Sequence, residues 1–320
     1  MNRLSSQLLN RLACPSCKMP VGHDASGISC KNSTCNLSGK PFKIIGEIPV
    51  LIDFEKSVFS LDNITSLKES IFGKGSAIMA FLTKILPSLS LNVKGANNIT
   101  TMRKLLLENN YCPRVLVIGG GELGVGMESI VNDPQIDKAE MDVYVGSRTN
   151  VIGDAHDIPF VDATFDGVII QAVLQHVLDP WRVVAEIYRV LKLGGLVYSE
   201  TAFMQSVRMG RFDFTRFTHL GHRRLFRWFE EIDSGAVCGP GMATAQMLRS
   251  YLLSWSSTKI WRGMVTILSH LLLFPLKYTD KWLIDHPAAL DAASGTYFLG
   301  RSAQAPLSDK QLLDNYRGWV

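Results

Sequence analysis

The stretch from Gly153 to Thr201 constrains the fold of this chain more than any other. Its residues 167–171 form a short apolar run, which predicts a buried strand. Apolar residues then recur at helical spacing from Val183 to Leu191, and the pair Gly194-Gly195 precedes a second apolar run. A strand, a helix, a glycine turn and another strand in this order predict a parallel sheet of the α/β class.

The same stretch resembles the methyltransferase type 11 family in three segments that follow one another in order: GDAHDIPFVDATFDGVII, VLQHVLDP and EIYRVLKLGG. The match runs through about fifty consecutive residues and is far more specific than a short glycine motif. It implies a class I methyltransferase that uses S-adenosylmethionine, built on a doubly wound, Rossmann-like sheet.

A glycine loop precedes this stretch. Residues 114–130, RVLVIGGGELGVGMESI, predict a strand, a loop and a helix, with Gly119, Gly121 and Gly124 spaced as G-x-G-x-x-G. Such a loop lets the backbone approach a nucleotide closely at the mouth of a sheet. The loop by itself fits dinucleotide binding, S-adenosylmethionine binding or a tight structural turn.

The resemblance implies a set of cofactor-binding residues. Gly119 and Gly121 would line the methionine part of the cofactor. Asp154 and Ala155 would approach the adenine, and Gln171 would face the sulfonium.

A carboxylate at the end of the second strand is expected to bind the ribose, because a vicinal diol matches two acceptor oxygens. We assign this role to Asp142. The gap between Asp142 and Asp154 is too short for the usual helix, so a shortened crossover is expected.

The chain departs from the family pattern at three positions: Val117 replaces an acid, Leu123 a glycine and Leu193 a proline. Glu122 would compensate for the lost acid or would be a solvated loop carboxylate. These departures leave room for a non-catalytic relative.

Four of the six cysteines fall near the N-terminus, at positions 14, 17, 30 and 35: Cys14, Cys17, Cys30, Cys35. Two such pairs on facing turns complete a closed tetrahedral site of thiolates, which Zn²⁺ favours. The alternative is four unrelated buried cysteines. We expect a structural zinc site, because so small a segment cannot bury enough apolar surface to fold alone.

The segment from Leu12 to Ile52 resembles the zinc-ribbon domain of the tRNA methyltransferase activator family, with its CPxC start and a closing GEIPVL. This resemblance implies that the ribbon supports the catalytic domain. Residues 40–52 predict two short strands and a turn around Gly46 that pack on the ribbon.

The acceptor side is expected in the segment from Arg211 to Asp233, which is rich in aromatic and basic residues. Asp213, Arg216 and His219 are candidate substrate-binding residues, and His222 or His219 a candidate base. A solvated basic helix is the alternative. His176 is a second catalytic candidate, with helix packing as its alternative.

The chain is divided into a ribbon (1–54), a helical connector (55–98), a methyltransferase domain (99–305) and a tail (306–320). The stretch from Glu55 to Asn110 includes the helix-like segments FLTKILPSLSL and TTMRKLLLENN. Apolar helices at about 242–287 form an insertion before a closing strand, SGTYFLGR. They would be core or a dimer face, a lid for a lipid-like substrate, or an interfacial helix on a membrane.

A net charge of +4 spread along the chain does not favour nucleic acid as a partner. No apolar run is long enough for a signal peptide or a spanning helix, so a cytoplasmic protein is expected, at most peripheral at a membrane.

The predicted function is methyl transfer from S-adenosylmethionine to a small molecule, a glycan precursor or a lipid-linked acceptor. A non-catalytic partner, an RNA methyltransferase and a nicotinamide-dependent redox enzyme are the alternatives.

Overall fold

The computed structural model describes residues 4–24, 27–64, 85–255 and 257–319. Its N-terminal part consists of α1 (Ser6–Leu9), β1 (Val21–Asp24), β2 (Gly27–Cys30), β3 (Ile44–Ile45) and β4 (Ile48–Leu51). β1 and β2 form an antiparallel hairpin, and β3 pairs with β4 across the predicted turn at Gly46.

The remaining strands and helices form an α/β fold, as the sequence predicts. In chain order they are α2 (Gly95–Asn109), β5 (Arg114–Ile118), α3 (Glu128–Val131), β6 (Asp137–Asp142), β7 (Val151–Gly153), β8 (Phe165–Gln171), α4 (Pro180–Val190), β9 (Leu191–Ala202), α5 (His219–Leu225), β10 (Phe229–Cys238), α6 (Pro240–Ser254), α7 (Lys259–Leu273), α8 (Leu276–Leu283), α9 (Pro287–Asp291), β11 (Gly295–Ser302) and α10 (Asp309–Asp314).

The large sheet has the strand order β10-β11-β9-β8-β5-β6-β7-β4-β3. The strands β9, β8, β5, β6 and β7 run parallel to one another. β11 lies between β9 and β10 and is antiparallel to both. The strand order reverses at β5, which places a ligand crevice at the carboxyl ends of β5 and β8. This confirms the doubly wound fold and the closing strand.

The crossover from β6 to β7 is short, as predicted, since only residues 143–150 separate the two strands and they form no helix. β7 would be the edge strand of the sheet, but β4 from the ribbon pairs with it in parallel, with Val50 opposite Ile152. The residues Ile48–Leu51 are all buried, because both faces of this added strand are covered. The sequence predicted the β3–β4 hairpin and missed its addition to the sheet.

Each face of the sheet carries its own layer. On one face α4 buries Val183, Val184 and Ile187 in a core that also contains residues of the ribbon. Asp179 caps this helix by accepting a hydrogen bond from the Arg182 N–H, at 3.0 Å. On the other face α2 buries Ile99, Met102 and Leu106.

Four helices, α6 to α9, lie between β10 and β11 and confirm the predicted insertion, which extends from Pro240 to Asp291. β10, which immediately precedes them, was not predicted. The first four residues of the segment FLTKILPSLSL lie outside the described residues, whereas TTMRKLLLENN falls in α2. Among the described residues, no helix has the length and apolar character needed to cross a membrane.

Candidate functional site

A cleft of about 220 Å³ opens where the sheet reverses its strand order. It lies at the carboxyl ends of β5, β6, β7 and β8. The predicted site residues that line it are Gly119, Glu122, Asp142, Asp154, Ala155, Gln171 and His176. Residues from four strand ends and from both halves of the sheet thus meet at one place.

The glycine loop is shaped for a close approach to this cleft. Gly119 has a φ of +77°, which favours glycine, and a Cβ there would collide with the Val173 side chain. A Cβ at Gly124 would collide with the amide oxygen of Gln171. Gly121 does not line the cleft but donates its N–H to Asp142 Oδ2 at 2.9 Å, so it orients the carboxylate that does.

Asp142 ends β6, as predicted, and its buried carboxylate also accepts the Val143 N–H at 2.7 Å. Burial raises the pKa of Asp142 to about 6, although the hydrogen bonds from the Gly121 and Val143 N–H groups lower it. A carboxylate held this way still offers acceptor lone pairs to the cleft, because two N–H groups occupy only part of its capacity.

Asp154 lies at the end of β7 and is saturated with hydrogen bonds. Its carboxylate accepts the Ser57 hydroxyl at 2.6 Å and both the N–H and the Nδ1 of His156, at 3.0 and 2.6 Å. Burial opposes its ionisation, but the bonds from His156 and Ser57 outweigh it and lower the pKa of Asp154. The Asp179 N–H donates to His156 Nε2 at 3.1 Å, so His156 bridges Asp179 and Asp154 and orients the Asp154 carboxylate. Sequence reasoning missed both Ser57 and His156.

The buried side chain of Glu200 lies beside Gln171. Gln171 pairs in register with Glu200 of β9, whose carboxylate accepts bonds from Tyr198 at 2.6 Å and Asn92 at 2.9 Å. Burial raises the pKa of Glu200. The Gln171 amide donates to the Val125 carbonyl at 3.2 Å, and its buried oxygen has no partner in the described part of the chain. An orphaned amide oxygen at the cleft fits a cationic or N–H ligand group.

His176 lines the cleft from the turn that follows β8. Its Nδ1–H donates to the Phe212 carbonyl at 2.8 Å, which leaves Nε2 as the acceptor nitrogen. Burial lowers the pKa of His176, so the neutral ring is favoured at physiological pH.

Phe212 belongs to a loop that gives the cleft an apolar mouth, together with Met209, Phe214 and Phe59. The rings of Phe59 and Phe212 stack with centroids 6.1 Å apart. Residues from the segment after the ribbon and from the segment after β9 thus meet at this mouth. No sequence motif predicted it.

Two predicted substrate-binding residues hold this loop instead of lining the cleft. Asp213 and Arg216 form a two-pronged ion pair, and the Asp213 side chain is buried. Arg216 also donates to the carbonyls of Gln205 and Ser206. We therefore correct their role to fastening the loop.

Two of the histidines predicted for the acceptor side lie away from the cleft. His222 is wholly buried between the Ser199 and Thr296 hydroxyls, at 2.9 and 3.1 Å, and burial lowers its pKa to about 3. His219 bonds the Ser234 hydroxyl at 2.8 Å and does not line the cleft. Residues three apart share one face of a helix, and α5 turns this face toward the sheet. Neither histidine is placed to act as a base on a ligand in the cleft.

The four predicted metal ligands come together. The sulfurs of Cys14, Cys17, Cys30 and Cys35 all lie within 4.8 Å of one another. The separation is 3.8 Å between Cys14 and Cys35 and 3.6 Å between Cys17 and Cys30. Thiolates at the usual 2.3 Å from a tetrahedral zinc ion are separated by about 3.8 Å, so the cluster fits this ion.

The ribbon is fastened to the segment that forms one wall of the cleft. Lys18 bridges Asp157 and Glu186 at 2.7 and 3.1 Å. The Ala13 N–H donates to the Pro159 carbonyl, and the Val161 N–H to the Arg11 carbonyl, at 2.9 and 3.0 Å. The cysteine cluster and the cleft are therefore parts of one packed unit.

Comparison with known proteins supports the interpretation of the site. Residues 131–199 match the methyltransferase type 11 family, described as a methyltransferase domain. The match begins after the glycine loop and runs from the end of α3 into β9. It contains Asp142, Asp154, Gln171 and His176.

Two curated relatives align with parts of the chain. A demethylmenaquinone methyltransferase of Symbiobacterium thermophilum is 35% identical over 98 residues, which is 30% of this chain and 36% of that protein. A chloroplastic 2-methyl-6-phytyl-1,4-hydroquinone methyltransferase of Oryza sativa is 39% identical over 62 residues, 19% of either chain. The chain thus spans about a fifth to about a third of the length of these relatives.

Among solved structures, a sarcosine dimethylglycine methyltransferase from Galdieria sulphuraria, so named provisionally, aligns at 12% identity and a TM-score of 0.42, covering 74% of this chain and 97% of that one. Residues 131–199 are thus similar to a methyltransferase domain, and they lie in a sheet with a doubly wound strand order.

Proposed function

We propose that the protein transfers the methyl group of S-adenosylmethionine to a small-molecule acceptor that carries a ring hydroxyl and an apolar tail. One observation carries this proposal: a polar cofactor cradle and an apolar mouth share a single cleft. The relatives are named as methyltransferases of quinones and phytyl hydroquinones, which agrees with a ring acceptor that has an apolar chain. A glycan precursor fits an apolar mouth less well.

The residues of the cradle have distinct tasks. Asp142 accepts hydrogen bonds from the two ribose hydroxyls, and the turn of Asp154 and Ala155 receives the adenine. The orphaned oxygen of Gln171 and the backbone of Gly119 face the methionine part. When bound, the cofactor supplies a methyl group on a sulfonium, which is electrophilic and open to in-line attack.

His176 is the proposed catalytic base. Its Nε2 accepts the proton of the acceptor hydroxyl while the oxygen–methyl bond forms and the sulfur–methyl bond breaks. The Phe212 carbonyl keeps the Nδ1–H tautomer in place, so Nε2 holds a lone pair for this step. The aromatic mouth excludes water and aligns the acceptor, which supplies a large part of the rate in such a displacement.

The cysteine cluster is proposed to hold a structural zinc ion. Four thiolates leave no coordination position for water, so the ion has no part in the chemistry. Its task is to fold the ribbon, whose following residues Ser57 and Phe59 contribute to the cleft.

The test combines titration calorimetry with S-adenosylhomocysteine and a methyl-transfer assay on a hydroquinone with an isoprenoid tail. We expect saturable binding, and turnover that falls by about 100-fold in His176→Asn with binding retained. His156→Asn is the matched control for a histidine that orients Asp154, and it is expected to weaken cofactor binding. Binding without any turnover of ring acceptors would contradict the proposed acceptor.

A non-catalytic partner is the second candidate, because the glycine loop lies outside the family match. It predicts no saturable cofactor binding, so the same calorimetric experiment separates the two functions.

A further inference from the structure

The helix α7 is packed with its apolar side outward. Its exposed side chains include Ile260, Leu268 and Leu272, which are 80%, 51% and 71% exposed. Its buried side chains are Val265, Thr266 and Ser269, two of which are polar. A helix on the surface of a water-soluble domain shows the opposite arrangement, because apolar side chains stabilise the fold only when buried.

The apolar surface continues on the neighbouring helices. α6 packs against both α7 and α8. Near the end of α6, Tyr251 and Trp255 are 58% and 69% exposed, and Trp282 of α8 is 73% exposed. We call these six side chains the insertion face: Tyr251, Trp255, Ile260, Leu268, Leu272 and Trp282. An exposed apolar patch of this kind marks an interaction surface.

The exposed charges of helices α6 to α8 have one sign, and the next exposed carboxylate along the chain, Asp285, pairs with Lys94 at 2.6 Å. Residues 240–279 contain no Asp or Glu, while Lys259, Arg262 and Lys281 are exposed. The single carboxylate of the three helices, Asp280, is buried and accepts the N–H groups of Gly241 and Met242 at 2.6 and 2.9 Å. A partner of this face must therefore be apolar at its centre and anionic at its rim.

We propose that the insertion face docks on an anionic lipid surface, with α7 lying in the plane of the interface. Tryptophan and tyrosine prefer the boundary between lipid chains and headgroups, and lysine and arginine next to them pair with lipid phosphates. A second copy of the chain fits this face less well. In a two-fold contact the same surface meets itself, which would bring cations against cations with no carboxylate between them.

The loop that leads to the cleft is hydrogen-bonded to the end of the insertion. The Met204 N–H and the Gln205 amide donate to the carbonyls of Ala293 and Ser294, at the end of the insertion. The same loop continues to Met209 and Phe212 at the mouth. Docking does not depend on methyl transfer, but it would bring the mouth of the cleft near a lipid-borne acceptor.

The test is vesicle flotation of the full chain with phosphatidylcholine vesicles, with and without phosphatidylglycerol. We expect binding to the anionic vesicles alone. The triple variant Ile260→Ser, Leu268→Ser, Leu272→Ser is expected to lose more than about 100-fold in affinity. The charge variant Lys259→Glu, Arg262→Glu is expected to lose at least about 30-fold. The control Leu193→Ser, Leu313→Ser removes exposed leucines elsewhere and should bind as the parent does.

Thermal unfolding and S-adenosylhomocysteine binding of each variant show that the fold and the cleft are intact, which separates this inference from the proposed function. If the chain bound neither the neutral nor the anionic vesicles, the inference would be overturned. Equal binding to neutral vesicles would overturn its electrostatic part. A dimer that sedimentation detects in the parent and not in the triple variant, without vesicle binding, would assign the face to a second copy.

Discussion

The two ends of the sheet are covered in different ways. At the β7 end, the ribbon adds β4 by backbone pairing, buries Leu51 in the core and adds the ion pairs of Lys18. Beyond β10 at the other end, the insertion helices bury polar groups such as Ser269 and expose Ile260 and Leu272. The first surface is covered within the chain, while the second leaves apolar side chains exposed to solvent. The direction of the apolar side thus distinguishes the two kinds of layer. In a layer that stabilises the fold the apolar side faces the sheet, and in a layer that binds a partner it faces outward.

Metal removal at the ribbon end is expected to have the largest effect. Zinc binding to a small thiolate domain contributes free energy on the order of 10 kcal/mol, so the ribbon should unfold when a strong chelator removes the ion. Because Ser57 and Phe59 follow the ribbon, affinity for S-adenosylhomocysteine should fall at least about tenfold. Thermal unfolding and calorimetry measure both effects.

Cys17→Ser should reproduce the loss, and Cys112→Ser, at an exposed cysteine outside the cluster, should not. A chelated protein with an unchanged thermal transition would show that the ribbon folds without metal.

A matched pair of leucine truncations compares the two ends directly. Leu51→Ala should lower the free energy of unfolding by about 2–5 kcal/mol, because the side chain is buried and leaves a cavity. Leu272→Ala should change it by less than about 0.5 kcal/mol, since the side chain is in water in the free protein. Urea unfolding of both variants checks the difference, and equal losses would refute the contrast between the two ends.

Between the two ends, Asp142→Asn tests the cleft. The loss of a hydrogen-bonded charge should weaken S-adenosylhomocysteine binding by about 2 kcal/mol, or roughly 30-fold. Asp137→Asn is the control at the opposite end of the same strand, where Asp137 accepts only the Ser5 hydroxyl in the described part of the chain. Unchanged binding in Asp142→Asn would exclude the proposed ribose contact.

The effects of Asp142→Asn on cofactor affinity and on stability are expected to depend on pH. In the free protein the pKa of Asp142 is raised to about 6, so cofactor affinity should fall as the pH drops below about 6 and the acceptor oxygens are lost. A raised carboxyl pKa also means that the folded state binds the proton more tightly than the unfolded state. This contribution to stability is present at low pH and is lost as the pH rises through about 6. Asp142→Asn should remove both dependences, which affinity and urea unfolding measured against pH will show.

A small effect is expected for Lys18→Ala. Its ion pairs with Asp157 and Glu186 are partly exposed, so the loss should be about 1 kcal/mol or less. Salt should reduce the difference between parent and variant, because screening weakens exposed pairs. A loss that salt does not change would point to packing of the lysine stem instead.

Much of the fold and part of the site followed from local patterns. The strands and helix between Gly153 and Thr201 were predicted because period and turn residues act over a few residues. Asp142 was placed by its position at the end of a strand and Asp154 by the family resemblance, and the parallel sheet brings both to one edge. The cysteine spacing predicted the cluster for the same reason, since each pair lies on one tight turn.

The remainder depended on contacts between distant segments. His222 and His176 are both histidines near aromatic residues in the sequence, yet one is sealed in the core and the other lines the cleft. The sequence did not predict the strand with which β4 pairs. The unpaired backbone groups of an edge strand leave no side-chain pattern in the sequence. The outward apolar face of α7 was likewise undecided, since periodicity shows that a helix has two faces but not which of them meets the core. The sequence alone therefore predicted most of the strands and helices, the cysteine cluster and the glycine loop, and the tertiary structure decided which polar groups reach the cleft and which apolar face is exposed.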